Sequence, residues 1–469
     1  MPVSGRSNSS INDIVSREEL EHRFHNLQNE LTGDISELPL TLCVRIDEVK
    51  LLHWLHSCGQ SPRFYWSSRD GKTEIAGYGS ALKIESADIE SSMKECFDLA
   101  ERITSLCDDD SVIFLGGCRF DANSRRGSEW NGFHDARFTL PEVSIHRNDS
   151  DYFACFAATV RVDSAIDKVL SRLESSVTRL SLRTEAFGAV DHAVIARIDT
   201  PDQSGWTPTV DAYLDLIKRG RVDKIVAARR TDFRFTEAVD PCTFLDELLS
   251  SNRSCFGFML EPQRGHAFVG ASPERLFRLH KGRIETEALS GTAVRGETDE
   301  ENGSTGRDLL ADDKNLREHR FVLDDITTKM DALCSSKVDR DDLSLMKLSN
   351  VMHIYAKLSG TIRSDISIGD IVSRMHPTPA VGGVPCDAAL EIIREYEPFD
   401  RGWYAAPVGI IGKDFAEMTV AIRSALIAKK NLSLFAGAGI VDGSEARSEW
   451  MELEHKTAPA LKLLGGVLV

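Results

Sequence analysis

Apolar positions along the chain recur with two different periods, and the switches between them mark the predicted elements. Charged, helix-forming residues over 17–31 precede a strand over 38–46 and a short helix over 47–56. Three consecutive aromatics, Phe64, Tyr65 and Trp66, then lead into a turn. Strands follow over 75–82 and 111–116, with helical spacing over 91–106 between them. The stretch 133–162 alternates apolar and polar residues as sheet does, and a helix is predicted over 164–184. Polar turn residues over 200–205 form the clearest seam, although composition hardly changes across it. No repeat of fixed period runs through the chain.

Chemistry-bearing positions concentrate after the seam. A helix over 208–219 leads to a strand over 222–228, whose period of two groups Lys224 with Val222, Val226 and Ala228. A lysine among valines is partly desolvated, which lowers its pKa and makes the neutral amine available as a base. The alternative is a strand-edge lysine that carries its head out to water. Strands over 254–260 and 266–269 end near Pro273 and Glu274. A carboxylate just past a strand end suits either a functional site or an acidic helix start. A strand over 284–289 turns at Ser290, Gly291 and Thr292, and a hydrophilic Gly-rich loop, expected to be mobile, covers 296–306. One long amphipathic helix is predicted over 307–333. Glu318 lies at the edge of its apolar stripe, either exposed or waiting for a cation.

His353 falls on the next strand, and a helix over 366–375 precedes the loop 376–385. Three prolines and two glycines make that loop rigid. Strands over 406–411 and 417–426 follow, the second carrying Arg423, which needs an anion from the protein or from a ligand. The segment 435–456, FAGAGIVDGSEARSEWMELEHK, is the densest. Gly437 and Gly439 are expected to turn and present backbone N–H groups to an anion. Ser444 reads as a helix N-cap, and Glu445, Glu449 and Glu452 share one helical face. Those glutamates form either a solvated acidic face or a shelf for a divalent metal, with Glu318 as partner.

A net charge of −17 over 469 residues disfavours nucleic acid and membrane surfaces as partners. An anionic ligand then needs a local cation cluster or a metal. Ten cysteines scattered without a CxxC pair read as reduced intracellular thiols. No apolar run reaches the roughly 20 residues of a membrane span. The start of the chain lacks the apolar core of a secretory signal. A cytoplasmic protein is expected, with residues 1–16 as a flexible tail that only weakly suggests organelle targeting.

From 208 to 464 the ordered motifs resemble the chorismate-utilising enzymes, and within them the isochorismate synthases. VDKIVAARR around Lys224 is similar to the water-using members. HPTPAVGG over 376–383 has Ala380 where lyase members carry threonine. RFYWSSRDG over 63–71 is similar to menaquinone-type enzymes rather than siderophore-type ones. The resemblance implies an α/β (α+β) fold, two large, mostly antiparallel sheets packed face to face with helices outside. It also implies a single chorismate-binding domain over 17–469, with 17–200 as the N-terminal part of the sandwich and 201–469 as the catalytic core. It implies Lys224 as general base, Glu274 in GASPERL as general acid, and Glu318 and Glu452 as Mg²⁺ ligands with Glu449 close by. His353, Ala380, Arg423, Gly437, Gly439 and Lys456 would surround chorismate. No glutamine amidotransferase subunit is expected, and the chain would be a monomer or weak homo-oligomer. Asn315, Ile410 and Ser290 depart from the usual pattern, the first with a possible cost in metal affinity and the second in packing near the ring. Two rival readings are a salicylate synthase, which Ala380 disfavours, and a non-catalytic chorismate-binding protein, which has no need of both Lys224 and Glu274.

Overall fold

The computed structural model describes residues 15–86, 93–188, 193–348 and 351–463. The predicted tail over 1–16 lies outside them except for its last two residues, as does the start of the helix predicted from 91. Two antiparallel sheets organise the described chain, one of twelve strands and one of ten. The larger runs Glu37–Ile46, Asp151–Arg161, Val143–Asn148, Thr73–Tyr78, Arg63–Ser67, Phe256–Gln263, His266–Ser272, Ser424–Ala428, Asn431–Val441, Lys224–Phe235 and Gly383–Val384. Val194–Thr200 also pairs with Lys224–Phe235. The smaller runs Asp339–Arg340, Val351–Thr361, Arg283–Val294, Arg275–His280, Phe415–Val420, Pro407–Gly412, Phe114–Cys118, Ala136–Leu140 and Leu82–Glu85. Ser344–Lys347 pairs with Val351–Thr361. Both sheets take strands from either side of residue 200, so the polar seam is a turn before the helix Gln203–Lys218.

Alternation decides which way each side chain goes. Phe64 and Trp66 enter one core cluster with Phe256 and Phe258 of the same sheet and Phe114, Phe138 and Phe277 of the other. Tyr65, between them, points to the opposite face and joins Trp54 of the helix Leu51–Ser57 and Met259. The first cluster fills the space between the sheets, and the second seats helices on the outside of the larger sheet. Burying one such aromatic contributes about 1.5–3 kcal/mol. Among the described residues, no helix is long and apolar enough to cross a membrane.

Several local expectations are corrected. The glycine-rich 296–306 is mostly helix, Asp299–Ala311, opened by a capping box in which Thr298 and Glu301 serve each other's backbone N–H groups. The single helix over 307–333 is two, because Asp312 ends the first and caps the second, Asp313–Leu333. Ser290, Gly291 and Thr292 form a bulge inside the strand Arg283–Val294, where Gly291 has φ +69°. The apolar run 75–82 splits at Gly79, φ +73°, and its end joins the other sheet. Cys43 and Cys155 face each other across neighbouring strands and form a disulfide, which their separation of 112 residues hid from the sequence.

The Asp312 cap is a direct test of the helix break. Its carboxylate accepts from the Asn315 N–H and side-chain amide, both at 2.7 Å. Asp312→Ala should lower unfolding free energy by about 0.5–2 kcal/mol in urea titrations. An unchanged midpoint would mean that the two helices do not depend on this cap.

Candidate active site

Glu274 lies where the chain leaves the larger sheet after Ser272 and enters the smaller at Arg275. Arg423 lies at a second crossing, between Phe415–Val420 and Ser424–Ala428, rather than inside a strand as expected. At such corners backbone groups fall outside both ladders and need other partners. Here the two crossings satisfy each other. The Val420 N–H and Thr419 Oγ1 donate to the Glu274 carbonyl at 3.0 and 2.6 Å. Ser272 Oγ donates to the Val420 carbonyl at 2.6 Å, and the Ala271 N–H to the Arg423 carbonyl at 3.2 Å.

The cavity at this junction has a volume of about 80 Å³, below the roughly 300–1,000 Å³ usual for ligand pockets. Admitting a ring dicarboxylate therefore requires its polar side chains to part. Glu274 is 4 % exposed. Burial, then the charge of Glu287, push its carboxyl group up to about 8, against the pull of Lys224 and Lys456. At neutral pH it keeps its proton and can donate it.

Lys224 is 0 % exposed, because its strand is flanked by Val384 on one side and Val441 on the other. That excludes the snorkelling alternative. Its Nζ donates to Glu318 Oε1 at 3.0 Å, just behind the cavity wall. Although burial opposes it, Lys224 holds the Glu318 carboxyl below its ordinary value. Lys456 Nζ binds Glu452 Oε1 at 2.6 Å and the Gly437 carbonyl at 2.9 Å. Lys314 binds Glu449 at 2.8 Å. Burial, then Glu452, raise the Glu449 carboxyl.

Arg423 is the exception to this pairing. Its backbone has φ +52°, a costly state for a non-glycine. Its Nη1 is buried without a hydrogen-bond partner, and among the described residues it forms no ion pair. Burial lowers its pKa. A guanidinium so placed is a seat for an incoming carboxylate. His353 Nδ1 lies 3.2 Å from the Gly291 carbonyl, which can only accept. Thr292 Oγ1 lies at 3.1 Å from the same nitrogen. Burial, then Arg423, push this histidine down to about 3, so it stays neutral.

Gly437 and Gly439 do not form the expected turn; they lie within the continuous strand Asn431–Val441, paired with Ala228 and Val226. What they provide is space. A Cβ on Gly439 would stand 2.7 Å from Glu318 Oε1 and 3.0 Å from Lys224 Cε, and one on Gly437 would stand 2.9 Å from Val226.

Of the predicted residues, Glu274, Glu318, His353, Ala380, Arg423, Gly437, Gly439, Glu452 and Lys456 line the cavity. Lys224 sits behind Glu318, whereas Glu449 is 2 % exposed and held away on Lys314. Glu445 is exposed, and Ser444 accepts from the Val441 N–H instead of capping forward. Of the departures, Asn315 accepts from the Thr292 N–H at 3.3 Å and Ser290 meets His319 at 3.2 Å. Ile410 lies in a separate cleft of about 840 Å³ that contains none of the predicted site residues. Sequence reasoning missed Tyr404, which stacks on Phe435 at 5.2 Å in the cavity wall, because an aromatic beside PVG carries no distinctive spacing.

Known proteins resemble this chain over nearly its whole length. The chain is 33% identical over 417 residues to isochorismate synthase MenF of Bacillus subtilis, covering 86% of this chain and 88% of that one. It is 31% identical to the chloroplastic isochorismate synthase of Catharanthus roseus, over 96% of this chain and 85% of the other. The solved structure of MenF, the menaquinone-specific isochorismate synthase from Escherichia coli, superposes with a TM-score of 0.81 at 27% identity, covering 95% of this chain and 99% of that one. Anthranilate synthase component I from Streptococcus pneumoniae shares the fold alone, with a TM-score of 0.69 at 18% identity over 97% of this chain and all of that one. Residues 28–465 match the chorismate binding enzyme family, and the chain belongs to that family.

Proposed function

We propose that this chain is an isochorismate synthase, converting chorismate to isochorismate in the cytoplasm and supplying a menaquinone- or phylloquinone-type route. The observation that carries the reading is a buried Glu274 at the cavity, a buried Lys224 just behind Glu318 in its wall, and Arg423, whose Nη1 has no hydrogen-bond partner. Arg423 and Lys456 supply cations for the two carboxylates of the substrate. Lys224 Nζ acts as the general base, taking a proton from water as the water oxygen bonds to ring C2. The ring double bonds shift, the C4–O bond breaks, and Glu274 gives its proton to the departing hydroxyl, which leaves as water. Water is a poor nucleophile and hydroxide a poor leaving group, so each group contributes about 10²–10⁴-fold. To reach the ring, Nζ turns away from Glu318 past Gly439, where a Cβ would block Cε. Chromatography of the products formed from chorismate and Mg²⁺ tests the assignment; isochorismate is expected, and any other product rejects it.

The donor chemistry fits magnesium. Glu318 and Glu452 are two hard oxygen donors on the cavity wall, the number that Mg²⁺ takes when ligand and water complete its shell. Among the described residues, no three such groups converge into a closed cage. When bound, Mg²⁺ would supply positive charge to a substrate carboxylate. Both glutamates rest on lysines, which hold their places when no metal is there.

Lys224→Ala and Glu274→Gln should each lower kcat by about 10²-fold or more while circular dichroism stays unchanged. Because Glu274 must be protonated, wild-type turnover should fall as pH rises through about 8. Near-normal turnover in either variant rejects the assignment. EDTA should abolish activity and Mg²⁺ restore it, and Glu452→Gln should need far more Mg²⁺ for half-maximal rate. A titration unchanged by that substitution would remove Glu452 from the metal.

Ala380 lies in the loop stiffened by Pro377 and Pro379, so a side chain introduced there is felt locally. The wild type should release little pyruvate, and Ala380→Thr should raise the ratio of pyruvate to isochorismate in a lactate dehydrogenase-coupled assay. Stoichiometric pyruvate and salicylate from the wild type would make the chain a salicylate synthase.

A further inference from the structure

The helix Ala446–Leu463 carries Glu452 and Lys456 one turn apart, and both line the cavity. Its other side is held by a group that the reaction above does not use. Arg229 lies five residues beyond Lys224 on the strand Lys224–Phe235, and its side chain is 1 % exposed. Its guanidinium stands 4.3 Å from the Trp450 ring centroid, and Nη1 donates to Glu454 Oε1 at 2.7 Å. Trp450 and Glu454 stand two residues before and two after Glu452. At about 3.6 residues per turn, both therefore point away from it. One guanidinium thus holds, from behind, the turn that presents Glu452.

Other contacts fix the same clamp. Arg197, from the strand Val194–Thr200, donates to the same Glu454 oxygen at 3.0 Å. Asp199 of that strand accepts from Thr231 Oγ1 at 2.6 Å and pairs with Arg197 Nε at 3.2 Å. It also lies 3.7 Å from Arg229 Nε. At the start of the helix, Trp206 Nε1 donates to the Ala446 carbonyl at 2.8 Å, and its ring meets Trp450 edge-on at 5.9 Å. Two arginines and two carboxylates balance in charge, so the cluster acts on the site through placement rather than through its field.

We propose that Arg229 is a positioning residue for the metal: by fixing the turn 450–454 it sets where the Glu452 carboxylate and the Lys456 ammonium stand at the cavity. This rests on Glu452 holding Mg²⁺. Glu452 and Lys456 bind each other at 2.6 Å, and that pair must part when substrate and metal arrive. The contacts that then persist lie behind and beside the helix, and Arg229 touches residues on both sides of Glu452. A guanidinium suits this task because its face stacks on the indole while its edge donates to the carboxylate. Mg²⁺ demands near-ideal geometry, so a small displacement of one ligand weakens its binding.

Arg229→Gln removes the stack and the ion pair while leaving every cavity-lining residue unchanged. The Mg²⁺ needed for half-maximal rate should rise about tenfold, the lower end of what losing a ligand's supporting partner costs. At saturating Mg²⁺ kcat should be little changed. Arg229→Lys keeps a cation beside Glu454 and should recover most of the loss. A merely structural role would lower kcat without moving the Mg²⁺ half-point, and that result, or an unmoved half-point, overturns the proposal. Binding is read without turnover in a Glu274→Gln background, with chorismate present, Mn²⁺ in place of Mg²⁺, and free Mn²⁺ followed by electron paramagnetic resonance. Adding Arg229→Gln there should weaken Mn²⁺ binding about tenfold, and adding Glu452→Gln at least as much. Weakening by Glu452→Gln alone rejects the role of Arg229. Where Glu452→Gln has no effect, Glu452 leaves the metal and the proposal falls with it. Where Arg229→Gln fails to fold, Glu454→Gln weakens the same contact from the helix side. It should raise the Mg²⁺ requirement in the same direction, and an unmoved requirement overturns the proposal.

Discussion

Where the chain crosses from one sheet to the other, at 272–275 and again at 420–424, its backbone leaves both ladders. The two crossings run side by side and bond each other through Ser272, Thr419 and Val420. That mutual satisfaction fixes Glu274 and Arg423 at the mouth of one cavity, one as a buried neutral acid and the other in a backbone state that only a tightly held corner maintains. The remaining site residues arrive from regular elements: Lys224 and the glycines from central strands, Glu318 and Lys456 from helices. The groups proposed to react therefore sit on a rigid seam between two packed sheets.

Charge is arranged in the same spirit. Three glutamates and three lysines neutralise one another around the cavity, whereas Arg423 forms no ion pair among the described residues. In a chain of net charge −17, that local balance is what admits a dianion. Parting of these pairs supplies the space that the closed cavity lacks.

Much of this was legible in the sequence because it follows local rules. Alternation located most strands, and the order of motifs around Lys224, Glu274, Ala380 and Glu452 pointed to the family and its fold. What was not legible depends on contacts across long separations. The glycines of FAGAG suggested an anion-binding turn, but Glu318 and Lys224 crowd Gly439, and Val226 and Tyr404 crowd Gly437, all of them distant in sequence. Arg423 looked like a strand residue because the run through 417–426 is apolar on both sides of the crossing. Glu287 reads as one polar position in an alternating strand, and nothing local reveals Arg69 as its partner, 218 residues away. The helix break at Asp312, by contrast, carried a readable signal, since an acidic residue three before Asn315 is a cap pattern that the long apolar stripe obscured.

In the proposed reaction water adds at one ring carbon while a hydroxyl leaves from another. Turnover of chorismate in oxygen-18 water, with mass and fragmentation analysis of the isochorismate formed, tests that directly. One solvent oxygen per newly formed product molecule, located at C2, is expected. Product without solvent oxygen at C2 would show that the original hydroxyl migrates, and that Lys224 and Glu274 do not act on separate positions of the ring.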